Sequence, residues 1–168
     1  PLPITLNDII HLDKFSQFHT FKLIIIYGIA SAMSYLHSHD IIHEALQPKN
    51  VLFSKFFLPK LSPFFMSNKD DNSDLNSSNY KAPETIEKSE LTKCSNVYSF
   101  SIIVYEILTG KKFNFDELNL TEIQPFFKDL IENCLSEDPQ KRPTFDEILE
   151  QLKNNSEINE NDFYDYVN

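Results

Sequence analysis

The residues best suited to chemistry lie in one short segment, residues 43–50. Glu44 is its only carboxylate and the only group there that could act as a general base through an oxygen. Asn50 offers one amide oxygen, which is a weak ligand for a divalent cation without an accompanying carboxylate. The neighbour of Glu44 is Ala45, whose methyl group can neither accept a proton nor bind a metal. The segment is therefore poor in groups for acid–base or metal chemistry.

Composition disfavours several classes of function. The chain has only two glycines, Gly28 and Gly110, so it cannot contain a glycine-rich phosphate loop. Its net charge of −10 and pI near 4.9 argue against nucleic acid or an anionic membrane as a partner, because such surfaces are bound by clustered Lys and Arg. A hydrophobic fraction of 41% is enough for a packed core.

The pattern of apolar residues predicts a mainly helical fold around this segment. Phe21–His39 has apolar positions spaced by three or four around most of its circumference, which indicates a helix buried on more than one side. Ser95–Thr109 is a second apolar helix, with Gly110 in the position favoured after a helix end. The other predicted helices are a short one capped by Thr5 or Asn7, one from Glu122 or Pro125 to Leu135, and one from the capping box at Thr144 to about Lys153.

The remaining stretches are predicted to be strands, turns and loops. Residues 41–64 alternate short apolar runs with prolines, which favours short strands and turns. Residues 68–79 are rich in Asn, Asp and Ser and predict a mobile loop. Residues 154–168 contain four acids and no base and predict a disordered tail.

The cysteines and the apolar runs indicate a compartment. Cys94 and Cys134 have no metal-type or CxxC spacing, so we expect two buried free thiols in a reducing environment. The longest apolar run, residues 23–36, is shorter than the roughly 18–20 residues that span a bilayer. No signal peptide is visible. We therefore expect a cytoplasmic protein without a membrane partner.

Six stretches match one family in its own order. Residues 43–50, H-E-A-L-Q-P-K-N, stand where protein kinases have H-R-D-L-K-P-x-N after a long helix. The other matches are residues 58–65 at the D-F-G segment, residues 80–84 (Y-K-A-P-E) at A-P-E, residues 96–101 (N-V-Y-S-F-S) and 103–110 in the central helix, and residues 130–145 in the C-terminal pattern. The chain resembles the C-terminal lobe of a protein kinase domain, and its motifs are most similar to those of the tyrosine-kinase-like group.

The resemblance implies a division of the chain. Residues 1–19 would be the end of the hinge region and a short helix. Residues 20–153 would be the kinase C-lobe, mainly α with a few short strands near the catalytic loop and an activation segment at about 63–84. The N-lobe is absent from this chain, which begins with Pro1 and is expected to be a fragment or a processed product. Between Gly110 and Leu130 the chain is short for the family, so a helix that helps to dock protein substrates would be reduced or missing.

The resemblance also locates the departures from the family. The proton-accepting Asp of the catalytic loop is replaced by Ala45, and positioned acid–base groups contribute roughly 10²–10⁴ in rate. The Arg before it is replaced by Glu44, and the Lys that meets the transferred phosphate by Gln47. The magnesium-binding Asp of D-F-G is replaced by Pro63, whose side chain offers no oxygen. No catalytic residue and no metal site are therefore expected.

Several family positions keep their residue type or a related one. Asn50 remains at the second metal position as a weak cofactor-binding candidate, with a hydrogen bond within the loop as the alternative. Glu84 and Arg142 match a buried ion pair. His43 would pack beneath the loop, and Asn96 replaces an Asp that accepts hydrogen bonds from the loop backbone. His43, Glu84, Asn96 and Arg142 are expected to be structural.

Regulation by phosphorylation is also expected to be lost. In many kinases the Arg at the position of Glu44 binds a phosphorylated activation loop. A glutamate would repel that phosphate. Ser73, Ser77 and Ser78 are accordingly interpreted as plain loop serines.

Three hypotheses about function remain open from the sequence. The first is a catalytically inactive, pseudokinase-type domain that binds other proteins and uses no cofactor. The second is a divergent Ser/Thr or tyrosine-kinase-like kinase that uses ATP and magnesium, with its N-lobe upstream. The third is a decayed gene fragment without a stable product.

Overall fold

The computed structural model describes residues 3–62 and 75–155, and for residues 75–77 only the backbone is considered. The helices are α1 (Leu6–Ile9), α2 (His19–Ser38), α3 (Pro83–Lys88), α4 (Lys93–Thr109), α5 (Pro125–Cys134) and α6 (Phe145–Asn154), and the strands are β1 (Val51–Phe53) and β2 (Pro59–Leu61). Single 3-10 turns occupy Asp13–Gln17, Pro48–Asn50, Leu75–Tyr80, Phe115–Glu117 and Pro139–Lys141. The predicted mainly helical fold is confirmed.

Helix α4 forms the centre of the core. Every residue from Ser95 to Ile107 is buried, and α4 packs against both α2 and α5, while α6 packs along α2. The helix begins at Lys93, two residues before the predicted start, because Thr92 and Ser95 form a capping box in which the Thr92 hydroxyl accepts from the Ser95 amide at 3.1 Å. Gly110 ends the helix as predicted, at φ 70°, a conformation that costs glycine nothing.

The other helix ends follow from local signals. The N-cap of α1 is Thr5, whose hydroxyl and amide both donate to the Asp8 carboxylate, and not Asn7. Helix α5 begins at Pro125, the later of its two predicted starts, with the proline at the first helical position. The capping box that opens α6 is confirmed, with Thr144 accepting from the Glu147 amide at 3.2 Å.

The two strands form a short hairpin on α2. They pair antiparallel with Val51 opposite Leu61, so the predicted strands of residues 41–64 are confirmed as β1 and β2. A Cβ at Gly28 of α2 would lie 2.5 Å from the Cγ of Pro59. Glycine therefore permits the close approach of the hairpin to the helix.

One helix was missed and two expectations need correction. Helix α3 was not predicted; Pro83 at its first helical position starts it after the extended Ala82. The loop predicted over residues 68–79 is wrong at its end, because residues 75–80 form a 3-10 turn, whereas residues 68–74 lie outside the described residues. Cys94 is half-buried and not buried, while burial of Cys134 raises the pKa of that thiol to about 12.

Part of the predicted organisation lies outside the description. Pro63, Ser73 and residues 156–168 of the predicted tail are not among the described residues. Within residues 3–62 and 75–155, no helix has both the length and the apolar character needed to cross a bilayer.

Candidate functional site

His43 holds the loop of residues 43–50 to the end of the hairpin. Its side chain is buried, and its Nε2 lies 3.2 Å from the carbonyl oxygen of Ser62. Its Nδ1 accepts a hydrogen bond from the Ala45 amide at 3.3 Å. Burial lowers the pKa of His43, which agrees with a neutral ring that donates through Nε2 and accepts through Nδ1. One ring nitrogen thus contacts the loop and the other contacts the end of the hairpin.

Asn96 of α4 fixes the backbone of the same residue from below. Its Oδ1 accepts from the His43 amide at 3.0 Å and lies 3.1 Å from Nε2 of His37. Its Nδ2 donates to the His43 carbonyl at 2.7 Å. A carboxylate could accept the first bonds but could not donate the last one. The amide therefore satisfies both polar groups of the His43 backbone.

The position of Ala45 carries no reactive group. Ala45 is half-buried, and its carbonyl accepts from Nδ2 of Asn50 at 2.7 Å. Gln47 is buried, and Glu44 is exposed. A small cavity of about 200 Å³ lies over the loop, and its wall includes Ala45, Glu44 and Gln47 together with residues 80–82 that precede α3. At the position of the family's proton acceptor, the cavity wall therefore carries the methyl group of Ala45, beside the exposed Glu44.

The donor set does not fit magnesium. The ion prefers near-octahedral coordination by oxygen, usually with one or two carboxylates. In residues 3–62 and 75–155 there is no cluster of three or more His, Cys, Asp or Glu side chains that could hold a metal. At the loop itself, Asn50 donates through Nδ2 to the Ala45 carbonyl, a bond that does not occupy the Oδ1 that could bind a cation, and the side chain of Pro63 offers no oxygen. One amide oxygen without the family's carboxylate does not make a magnesium site.

Arg142 and Glu84 form a buried, bidentate ion pair. Nη1 and Nη2 of Arg142 lie 2.6 and 2.9 Å from the two carboxylate oxygens of Glu84, and the two side chains are 0% and 14% exposed. Arg142 also donates to the carbonyls of Ser136 and Cys94 at 2.9 and 3.1 Å. Its guanidinium lies 5.0 Å from the ring centre of Tyr98. One side chain thus joins α3, α4 and the segment before α6.

The protonation of this pair is set by two opposing effects. Burial acts to raise the pKa of Glu84, but the hydrogen bonds and charge of Arg142 outweigh it, so that the pKa lies below its usual value. Burial also raises the pKa of Tyr98 to about 12, which keeps the phenol beneath the guanidinium neutral. The pair is therefore fully ionised at neutral pH.

A second buried acid, Glu106, was not singled out from the sequence. It is 1% exposed; its carboxylate accepts from the Tyr80 hydroxyl at 2.9 Å and from the Phe113 amide at 2.9 Å. The Tyr80 carbonyl in turn accepts from Ser99 at 2.6 Å. Glu106 thereby ties the segment before α3 to α4. The signal that could have revealed it is one charged residue within the apolar run of residues 102–108.

A family-level comparison agrees with the fold. A model of the protein kinase domain matches residues 4–152 of the chain. This range includes every described helix except the last two residues of α6. The mainly helical architecture with one small hairpin is that of a C-terminal lobe fragment.

Relatives among characterised proteins carry kinase names. A protein kinase and PP2C-like domain-containing protein of Arabidopsis thaliana is 26% identical over 204 residues, covering 89% of this chain and 31% of that protein. A calcium and calcium/calmodulin-dependent serine/threonine-protein kinase of Oryza sativa subsp. japonica is 31% identical over 168 residues, covering 84% and 32%. A dual specificity protein kinase of Dictyostelium discoideum is 29% identical over 170 residues, covering 89% and 13%.

The chain spans a third or less of the length of these relatives. Their names describe whole proteins, whereas the match to the family model covers most of this chain. The chain belongs to the protein kinase domain family and corresponds to a fragment of that domain.

Proposed function

We propose that this chain is a catalytically inactive, pseudokinase-type domain that acts by binding other proteins. The observation that carries the proposal is the loop of residues 43–50. Its architecture is complete, with His43, Asn50 and Asn96 all hydrogen-bonded to backbone groups. Yet the position at which the family accepts the substrate proton holds only the methyl group of Ala45. Loss of an acid–base group alone lowers a rate roughly 10²–10⁴-fold.

The other departures support the same proposal. Phosphoryl transfer depends on positioning and on stabilising charge on the phosphate. Gln47 is buried and neutral where the family has a lysine, and Pro63 stands at the position of the metal-binding aspartate. A fold that keeps the ionised pair of Glu84 and Arg142 while these groups differ is what selection for shape would leave. We accordingly expect no ATP or magnesium requirement.

Finer assignments belong to the same proposal. We assign residues 1–19 to the hinge end and residues 20–153 to the C-lobe, and we place the chain in the tyrosine-kinase-like group on the motif in residues 130–145. The free, buried thiol of Cys134 supports a reducing, cytoplasmic location. The proposed partners are proteins, and not nucleic acid or membrane, because the chain carries a net charge of −10.

The alternative is an active, divergent Ser/Thr or tyrosine-kinase-like protein kinase. It is supported by the names of the relatives, which include serine/threonine and dual specificity protein kinases. It requires ATP, magnesium, an upstream N-lobe and a substitute for both Ala45 and Pro63. Glu44 is the nearest carboxylate, but it is exposed and one residue away from the required position.

A phosphate-transfer assay separates the two functions. The protein is purified from its own cells, supplied with labelled ATP and with magnesium or manganese, and tested on general protein substrates and on itself. We expect transfer no faster than that of an Asn50→Ala variant, since Asn50 is the last family metal ligand. Transfer above background that Asn50→Ala abolishes would establish the alternative.

A further inference from the structure

An open apolar groove lies on the face of the molecule that carries α3. Its volume is about 770 Å³. One wall is Ile86 of α3, the other is Phe115 of the 3-10 turn Phe115–Glu117, and Tyr98, Phe113 and Leu135 contribute to its lining. Ile86 is 61% exposed and Phe115 is 57% exposed. Two large apolar side chains thus face solvent across one concave surface, which is typical of a protein contact site.

Both walls of the groove are held in place from behind. The ring of Phe115 lies 4.8 Å from that of Phe113 and 6.4 Å from that of Tyr98. Helix α3, which carries Ile86, is anchored through the ion pair of Glu84 with Arg142. A groove whose walls are already ordered loses little entropy when it is filled, and therefore favours binding.

The charged residues that line the groove carry a net negative charge. Glu87 and Glu137 are among its described lining residues, against one lysine, Lys81. A ligand with positive charges beside an apolar anchor would match this surface in both shape and sign.

We infer that this groove docks a segment of a partner protein in which a large apolar residue is flanked by Lys or Arg. The inference rests on the proposed protein-binding function and names the partner class for it. Two occupants from the chain itself are disfavoured by charge. A second copy carries a net charge of −10, and residues 154–168 contain four acids and no base. Both would bring negative charge to an acidic rim.

Selection from a library of random peptides of about twelve residues, displayed on phage, tests this inference. The purified chain is the target, and a labelled copy of the enriched consensus peptide is titrated by fluorescence anisotropy. Ile86→Ser and Phe115→Ser remove the two walls. Phe56→Ser is the matched control, because Phe56 is also an exposed phenylalanine, 66% exposed, but lies in the β1–β2 hairpin away from the groove.

A second pair of variants tests the charge. Glu87→Lys and Glu137→Lys reverse the rim, and Glu122→Lys is the control, an exposed acid that does not line the groove. Each variant is first checked for an unchanged melting temperature, so that a loss of binding reports the surface and not the fold. Raising the salt concentration should weaken binding of the consensus peptide, because exposed charges are screened.

The expected result has three parts. Enriched peptides carry an apolar anchor with neighbouring Lys or Arg; each wall substitution weakens binding about tenfold or more; and both controls bind as the parent does. The inference is overturned if the library yields no binder, if the enriched peptides lack this pattern, or if binding survives the wall substitutions. Binders that map elsewhere would overturn the groove but leave a protein-binding function standing, and none of these results alters the phosphate-transfer assay.

Discussion

Two buried hydrogen-bond networks of this chain are both well connected but consist of different chemical groups. Around Arg142 the partners are charged, and the guanidinium uses two carboxylate oxygens and two carbonyls. In the loop of residues 43–50 the partners are neutral, and every contact from His43, Asn50 and Asn96 ends on a backbone group or another side chain of the same network. Both networks join elements: the first does so through charged groups, and the second holds the loop to α2, α4 and the hairpin through neutral ones.

The difference supports our proposal that this lobe keeps the shape of the family without its chemistry. The ion pair is needed for the fold, because removing one partner leaves a buried charge without compensation. The loop needs only hydrogen bonds to keep its shape, and amides can supply these, although each bond is weaker than one to a charged group. Substitutions in the two networks test how much each contributes to stability.

The largest effect is expected at Arg142. Arg142→Ala leaves Glu84 nearly buried without its partner and frees the carbonyls of Ser136 and Cys94, so it should lower the free energy of unfolding by about 3–5 kcal/mol. Chemical denaturation monitored by circular dichroism measures this. The control, Glu44→Ala, removes an exposed acid of the other network and should change stability by less than about 0.5 kcal/mol. Equal effects of the two substitutions would contradict the assigned roles.

A smaller loss is expected at Asn96. Asn96→Asp restores the family's residue type but removes the Nδ2 donor to the His43 carbonyl and places a carboxylate oxygen near it. We expect a loss of about 1–3 kcal/mol, the cost of an unsatisfied buried group, in the same denaturation experiment. Asn96→Ala serves as the reference. A more stable Asn96→Asp variant would mean that the loop can accept the family's original arrangement.

The pair of Glu84 and Arg142 should also give stability a dependence on pH. The pKa of Glu84 is lowered in the fold, so its contribution is fully present above the unfolded value of about 4.5 and is lost as the pH falls through the lower, folded value. The difference in melting temperature between the parent and Glu84→Gln should therefore shrink in acid. A difference that stays constant between about pH 7 and pH 3 would contradict this origin.

Only a small effect on stability is expected at Ala45. Ala45→Asp adds a carboxylate beside a cavity of about 200 Å³, which leaves room for it, so stability should change by less than about 1 kcal/mol. Phosphate transfer should stay at background, because Gln47 and Pro63 remain. Turnover gained from this single change would show that the missing proton acceptor alone limits the chain.

Sequence patterns predicted the helices whose ends carry strong local signals. Gly110 and the Thr144 box closed and opened helices where expected, because both signals act through backbone groups within one turn. The start of α4 was missed by two residues, since the box of Thr92 and Ser95 has a serine where the usual pattern has Glu or Gln.

The sequence predicted which residues lie at the candidate site better than it predicted the contacts between them. The motif brought His43, Asn50 and Asn96 to one loop, and Glu84 to Arg142. The hydrogen bond from Asn96 to the His43 carbonyl depends on the conformation of the loop backbone, which the residue types do not predict. The role of Glu106 depends on Tyr80 and Phe113 meeting it from distant positions, and the groove at Ile86 and Phe115 depends on two separate segments. Such contacts arise only from tertiary packing.

The central claim is that a kept fold carries no phosphate transfer, and one sample can test both halves. Protein purified from its own cells is heated to record its unfolding transition, and the same preparation is assayed for transfer from ATP with magnesium or manganese, beside Asn50→Ala. We predict a cooperative transition and transfer at the level of Asn50→Ala. Transfer that Asn50→Ala abolishes would contradict the loss of chemistry, and the absence of a cooperative transition would contradict the kept fold and indicate a decayed fragment.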